Sequence, residues 1–339
     1  MMQKDEELVL EPWLIHHGYL FGLENLMVFD NGSSSAVVHE ILERFETAGV
    51  TVVRQYTTEQ DWLAKGDYFT SCIKIWDLTA DYDFAIPLDC DEFLALFTET
   101  GLTTNRSLIH DYLDGLIDCQ DVLSIETTNY NVPGHPGWYW PSRGLKHFFT
   151  SGTIGMLDHG FHVATSTKSD AVFSTRLTHL HYQHKPYDVV IEHAKRKLRP
   201  FVDVNDPAAI LAFRGPCEHL VRYFRQNEAE YLGQFETQMI FGFTGLSATL
   251  AAFGYQSDMF TVPLDAAQAV RGPHLTIRLP ADQETAARTV LFDTAAYLQA
   301  NIDVAAIGTN GLVHYLYNGH QERRPAFDVR NTQPAGLEY

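Results

Sequence analysis

Apolar residues recur at helical and strand spacing along the first third of the chain. Leu10, Trp13 and Leu14, with His17 one turn on, predict a helix over 8–20. Asn25 to Phe29 reads as a short buried strand that runs into Asp30-Asn31-Gly32-Ser33-Ser34-Ser35, a turn-and-cap sequence. Val38, Ile41, Leu42 and Phe45 then mark a helix over 35–48, which Gly49 stops before a second strand over 50–53. Phe69, Cys72, Ile73 and Trp76 share one face of a predicted helix over 68–79. Phe84-Ala85-Ile86-Pro87-Leu88 reads as a third strand, running straight into Asp89. Strand and helix alternating in this way predict a parallel, doubly wound α/β sheet, in which ligands bind at the carboxyl ends of the strands. Two polar clusters, Asp30 to Ser35 and Asp89 to Glu92, are expected at such ends.

Further on, 122–125 is expected to be a strand. Asn129 to Pro141, rich in Gly, Pro, Trp and Tyr, reads as a loop. Leu177-Thr178-His179-Leu180-His181-Tyr182 alternates, so His179 and His181 share a face. After about residue 200 the pattern turns mainly helical, and a small unit follows from about 282. The expected organisation is therefore an α/β domain over 1–200, a mainly helical extension over 201–280 and a small helical module over 281–339.

Composition narrows the function. The chain of 339 residues is 45% hydrophobic and 20% charged, ordinary globular values, with a formal charge of −19. That balance disfavours nucleic acid as a partner; the one dense basic run, His193 to Arg199, is short and reads as a solvated helix face rather than a phosphate or membrane site. No apolar run is long enough to span a membrane, and the amino terminus has no signal-peptide core. Cys72, Cys90, Cys119 and Cys217 form no Cys-x-x-Cys pair, which predicts free thiols in a reducing compartment. The expected location is the cytoplasm, with peripheral contact at the inner membrane face as a variant.

The candidate chemistry centres on Asp89-Cys90-Asp91-Glu92. Two aspartates one residue apart, held by an apolar strand, can share a hard divalent cation such as Mg²⁺ or Mn²⁺ that leaves positions open for phosphate oxygens. The plainer alternative is a helix cap. Here a resemblance becomes specific. Asp89-Cys90-Asp91-Glu92-Phe93-Leu94 resembles the DxDEF motif of glycosyltransferases related to family 2. Glu11-Pro12-Trp13-Leu14-Ile15-His16-His17 resembles their E-x-W-x-x-H-H helix, and Val28-Phe29-Asp30-Asn31-Gly32-Ser33-Ser34 their strand end. Ser35 departs from the family's Asp, and the first strand of the fold has only four residues before Asp5-Glu6. The resemblance spans roughly residues 5–97. It implies the GT-A (nucleotide-diphospho-sugar transferase) fold with a Rossmann-like sheet and a nucleotide-diphosphate sugar as donor. Asp30, Asn31 and Ser33 would lie by the nucleotide, Asp91 would hold the metal, and Asp89 would assist it or bind ribose. Asp89, Asp91 and His181 are thus the candidate metal ligands, His181 because its "HY…K" segment with Tyr182 and Lys185 is similar to the family's. Lys146 is a candidate for the diphosphate. An inverting reaction needs a carboxylate base; Asp158 is the candidate, with Asp170, Asp188 and Glu192 as competitors. Trp138 to Trp140 offer faces for a sugar ring or for the core.

The residues from Phe292-Asp293 to Glu322-x-Arg324 are similar to a helical module of many bacterial proteins, which implies a protein-contact role or a stabilising tail. The expected activity is metal-dependent transfer of a sugar to an acceptor hydroxyl on a glycan or glycoconjugate. The rivals are a phosphatase or phosphotransferase of the haloacid dehalogenase type, which also uses DxD after a strand, and a sugar-binding protein without catalysis.

Overall fold

The computed structural model describes residues 1–263, 274–281 and 285–332; expectations for the other positions lie outside the described residues. Strand β1 (Met2–Gln3) is followed by helix α1 (Leu10–Phe21), β2 (Met27–Asp30), α2 (Ala36–Thr47) and β3 (Thr51–Val53). The three strands pair in parallel in the order β1-β2-β3. The first strand is thus present but two residues long. Ser35 caps α2 by accepting from Val38 N, and Gly49 ends it at φ 117°, a left-handed conformation open to glycine.

Short helix α3 (Glu59–Leu63) and α4 (Lys65–Thr79) lead to β4 (Phe84–Ala85). Here the structure departs from the doubly wound expectation. Only two residues of 84–88 pair, and they pair antiparallel with the strand ending at Thr150 rather than parallel with β2. Pro87 lacks the N–H that would continue the ladder. A second departure follows: Asp89 to Asp91 do not end a strand but form the turn that opens β5 (Glu92–Phe97), whose six residues are all buried. An unbroken apolar run suits a strand flanked on both edges and covered on both faces, and burial in the sheet, not helix capping, decides it.

Strand β5 is part of a ten-stranded mixed sheet. It comprises β6 (Leu102–Thr103), β7 (Val122–Asn131), β8 (Trp138–Thr150), β11 (Val172–Ser174), β12 (Leu177–His181), β13 (Ile240–Gly242), β14 (Thr276–Leu279) and β15 (Arg288–Leu291), with β4 and β5; β9 (Ile154–Leu157) and β10 (Ala164–Ser166) pair separately. The expected loop over 129–141 is mostly strand: β7 and β8 form a long antiparallel hairpin whose turn is confined to residues 132–137, so Tyr130 and Trp140 are cross-strand partners. The segments 240–242 and 276–279 join the same sheet through β13 and β14. Helices α1 and α5 (Arg106–Asp114) pack on β5 and bury Trp13, Leu14, Ile109 and Leu113. A second core of Phe29, Phe69, Ile73, Phe149 and Phe161 lies around α4. Helix α6 (Tyr187–Leu198) follows β12. Near the carboxyl end Arg324 binds Asp303 with two hydrogen bonds of 2.9 and 2.7 Å, and Tyr317 donates to Asn129 Oδ1 at 2.6 Å, which fastens the terminal helices to the sheet. No helix among the described residues is long and apolar enough to cross a membrane. All four cysteines are free.

Candidate active site

The register of the sheet builds the site. Glu92 on β5 lies opposite His181 on β12, His181 opposite Tyr130 on β7, and Tyr130 opposite Trp140 on β8. A carboxylate, an imidazole, a phenol and an indole therefore form one row across four strands. His179 stands two residues from His181 on the same face, as the alternation predicts, and the two rings are 5.7 Å apart. Gly144 keeps the space beside His179 open, since a Cβ there would meet Thr128 at 2.9 Å and the His179 ring at 3.8 Å.

At the head of the row the turn brings three carboxylates together. Glu92 closes it by accepting from Asp89 N at 2.9 Å. Asp89 is gripped by two ammonium groups, with Lys65 at 2.7 Å on one oxygen and Lys146 on the other. Lys146 also reaches Glu92 at 3.2 Å and donates to Gly160 O at 3.2 Å. Burial opposes ionisation of Asp89, but Lys146 and then Lys65 outweigh it and hold the carboxyl far below its ordinary range. Lys65 and Lys146 are themselves buried, and Phe161 lies under both, 4.6 and 5.2 Å from the two ammonium nitrogens. Phe161 takes φ 64°, a left-handed conformation, in the loop that packs on this cage.

Asp91 faces the other way. Its Oδ1 is 3.5 Å from His181 Nε2, and both side chains keep about a fifth of their surface in solvent, 23% and 19%. Burial works against charge on either group; the mutual attraction overrides it, lowering the Asp91 pKa and raising that of His181. Glu92 Oε1 lies 3.5 Å from His179 Nε2 and 4.0 Å from His181 Nδ1. Burial brings His179 down to about 4, so it is a neutral imidazole at pH 7, and its Nδ1 is buried with no hydrogen-bond partner. Ligand atoms of Glu92, His179 and His181 lie within 4.8 Å of one another. Two imidazoles beside carboxylates make a donor set that fits a divalent transition ion such as Mn²⁺ better than Mg²⁺.

Asp91 and His181 come together at the open edge of the cluster. Asp89 is beside them, but both its oxygens are engaged by lysines. Lys146 is inside the cluster rather than at its mouth. Asp30 accepts from Gln3 Nε2 at 2.7 Å and from Ser33 Oγ at 2.6 Å, while Asn31 donates to Tyr56 O and Thr58 O at 2.7 and 3.0 Å. These three side chains are buried and tie together the ends of β1, β2 and the 56–58 segment. Asp158 lies in the loop against the lysine cage, and its Oδ1 accepts from His162 N and Val163 N at 2.6 and 2.9 Å. Burial opposes its charge, yet these amides hold its pKa below the ordinary value. Trp138 and Trp140 are half-buried, whereas Tyr139 points into the core and shares a hydrogen bond of 2.9 Å with Tyr182. Two further groups complete the surroundings of the cluster: Lys65, which opens α4 without any motif, and the ion pair of Lys185 with Glu6 that flanks it from α6's approach. The available signal for Lys65 was its place one turn before Tyr68 and Phe69 and two before Cys72, on the apolar face of α4.

No protein-family model matches this chain, and no curated protein matches it. Among solved structures, that of S. aureus TarS 1–349 aligns with a TM-score of 0.32 and 11% identity, covering 69% of this chain and 72% of that one. A likeness of that size carries neither fold nor activity from one protein to the other.

Proposed function

We propose that the protein is a metal-dependent glycosyltransferase that moves a sugar from a nucleotide-diphosphate donor to an acceptor hydroxyl. The single observation that carries this reading is the meeting of Glu92, His179 and His181 within 4.8 Å of one another, with Asp91 3.5 Å from His181, at the turn of the DxDEF-like motif. In this reading Asp91 and His181 hold the cation from the solvent side, with Glu92 and His179 behind them. A divalent cation held there would supply positive charge to a departing diphosphate. The chain's own residues do the rest. Lys65 and Lys146 keep Asp89 ionised and fix the turn, so that Asp91 is presented in one orientation. The half-buried faces of Tyr130 and Trp140, next in the row, form a ledge of the size and chemistry that sugar rings stack on. Asp158, ionised and held by backbone amides beside the cage, is the carboxylate available to take the acceptor proton. A haloacid dehalogenase reading is less well supported, because that chemistry needs an unencumbered nucleophilic Asp at a strand's carboxyl end, whereas Asp89 opens a strand and is paired twice.

The test is hydrolysis or transfer of a panel of nucleotide-diphosphate sugars with Mn²⁺. Turnover by the wild type should fall by about a hundredfold or more in Asp91→Asn, with an unchanged circular dichroism spectrum. Turnover in Asp91→Asn equal to the wild type would remove the assignment, as would metal-independent turnover.

A further inference from the structure

A separate cavity lies where β2 and β3 begin, bounded by α1, the end of α4, the 80–88 segment and α5. Its volume is about 470 Å³, within the range of small-molecule pockets. Its walls include Trp13, Trp76, Tyr82 and Phe84. Trp76 and Tyr82 meet edge to face at 6.0 Å, and the rings of Trp76, Tyr82 and Phe84 are only half-buried. Glu24, Asp81, Asp83 and Asp114 also line the cavity, all four exposed, and no Lys or Arg is among its lining residues. None of these carboxylates forms an ion pair with another described residue.

We propose that this cavity binds a small organic cation, an ammonium group carried on a flat apolar body. Aromatic faces attract cations and stack on flat rings. Four carboxylates around the cavity, with no lysine or arginine among its lining residues, give it a negative field that favours a positive ligand. An anionic ligand would meet only like charge, and a neutral one would leave the rim uncompensated. The cavity's role does not depend on the metal or on nucleotide sugars.

The experiment is titration calorimetry on the full chain, without added metal, using tryptamine and phenyltrimethylammonium as cations, tryptophol as the neutral counterpart and indole-3-propionate as the anion. Both cations should bind saturably, tryptophol about tenfold more weakly than tryptamine, and the anion more weakly still. The double variant Asp83→Asn/Asp114→Asn, at two exposed positions, should lose about tenfold for tryptamine while leaving tryptophol unchanged. Trp76→Ala should weaken both indoles. Absence of saturable binding by either cation overturns the proposal, as does equal binding of the three indoles or full tryptamine affinity in the double variant.

Discussion

Replacing Lys146 by Met tests the electrostatic core of the site. The lysine side chain is 5% exposed and Glu92 is 1% exposed, so solvent screens their 3.2 Å contact little. Methionine keeps most of the volume and removes the charge. Asp89 retains Lys65, but Glu92 loses its lysine and is left beside the two imidazoles, and removing one partner of a buried pair costs about 3–5 kcal/mol. Because Asp89 stays half-compensated, the lower end, about 3 kcal/mol, is expected. The pairing is at full strength at neutral pH. The Lys146 pKa is raised, because Glu92 and Asp89 outweigh burial, so its contribution is present below the ordinary lysine value and lost only as pH rises through the raised one. The Asp89 pKa is depressed, so its contribution is present above the ordinary Asp value and lost as pH falls through the lower one. Urea denaturation at pH 7 measures the loss, and adding Glu92→Gln should restore part of it, since the double variant leaves no uncompensated carboxylate there. A cost of less than about 1 kcal/mol, the value of an exposed pair, would refute the account of a buried, mutually dependent cage.

Further outcomes are expected elsewhere. His181→Ala should weaken Mn²⁺ binding by calorimetry at least about tenfold, and more than His179→Ala does, because His181 faces Asp91 at the open edge; equal small effects would return both to a structural role. Gly66→Ala should destabilise the fold by about 3 kcal/mol, since its Cβ would lie 2.5 Å from Leu157 O and from the Asp158 carbonyl carbon, pushing the 158–162 loop off α4; a wild-type urea midpoint would contradict that contact. Burial brings His16 down to about 4 and His184 to about 3, so both fold as neutral imidazoles. Their contribution is present above about 6.5 and lost as pH falls from there through the folded values, at about 1.4 kcal/mol per pH unit for each histidine. Urea midpoints from pH 7 to 4 should fall accordingly, and a flat profile would mean that these rings are hydrated.

The local elements of the first third were legible in the sequence because their cause is local. Hydrophobic periodicity, the Ser35 cap and the Gly49 stop place α1, α2, β2 and β3, and strict alternation puts His179 and His181 on one face. The acidic turn stood out for the same reason: its residues are adjacent in the chain. Tertiary structure alone decided three further points. Whether Glu92 to Phe97 is strand or helix depended on neighbours 80 residues away, because an unbroken apolar run fits either until both its faces are covered. Whether 129–141 is loop or hairpin depended on β12 and β13 completing the ladders around it. Above all, the partners of the carboxylates came from distant segments. Lys65, Lys146 and the 158–162 loop reach Asp89 only when α4, β8 and β9 pack together, and no spacing in the chain records a contact made across space. The sequence by itself determined which residues could carry charge at the turn; packing decided that Asp89 is bound to lysines while Asp91 meets His181, since buried charges persist only where folding supplies their counter-charges.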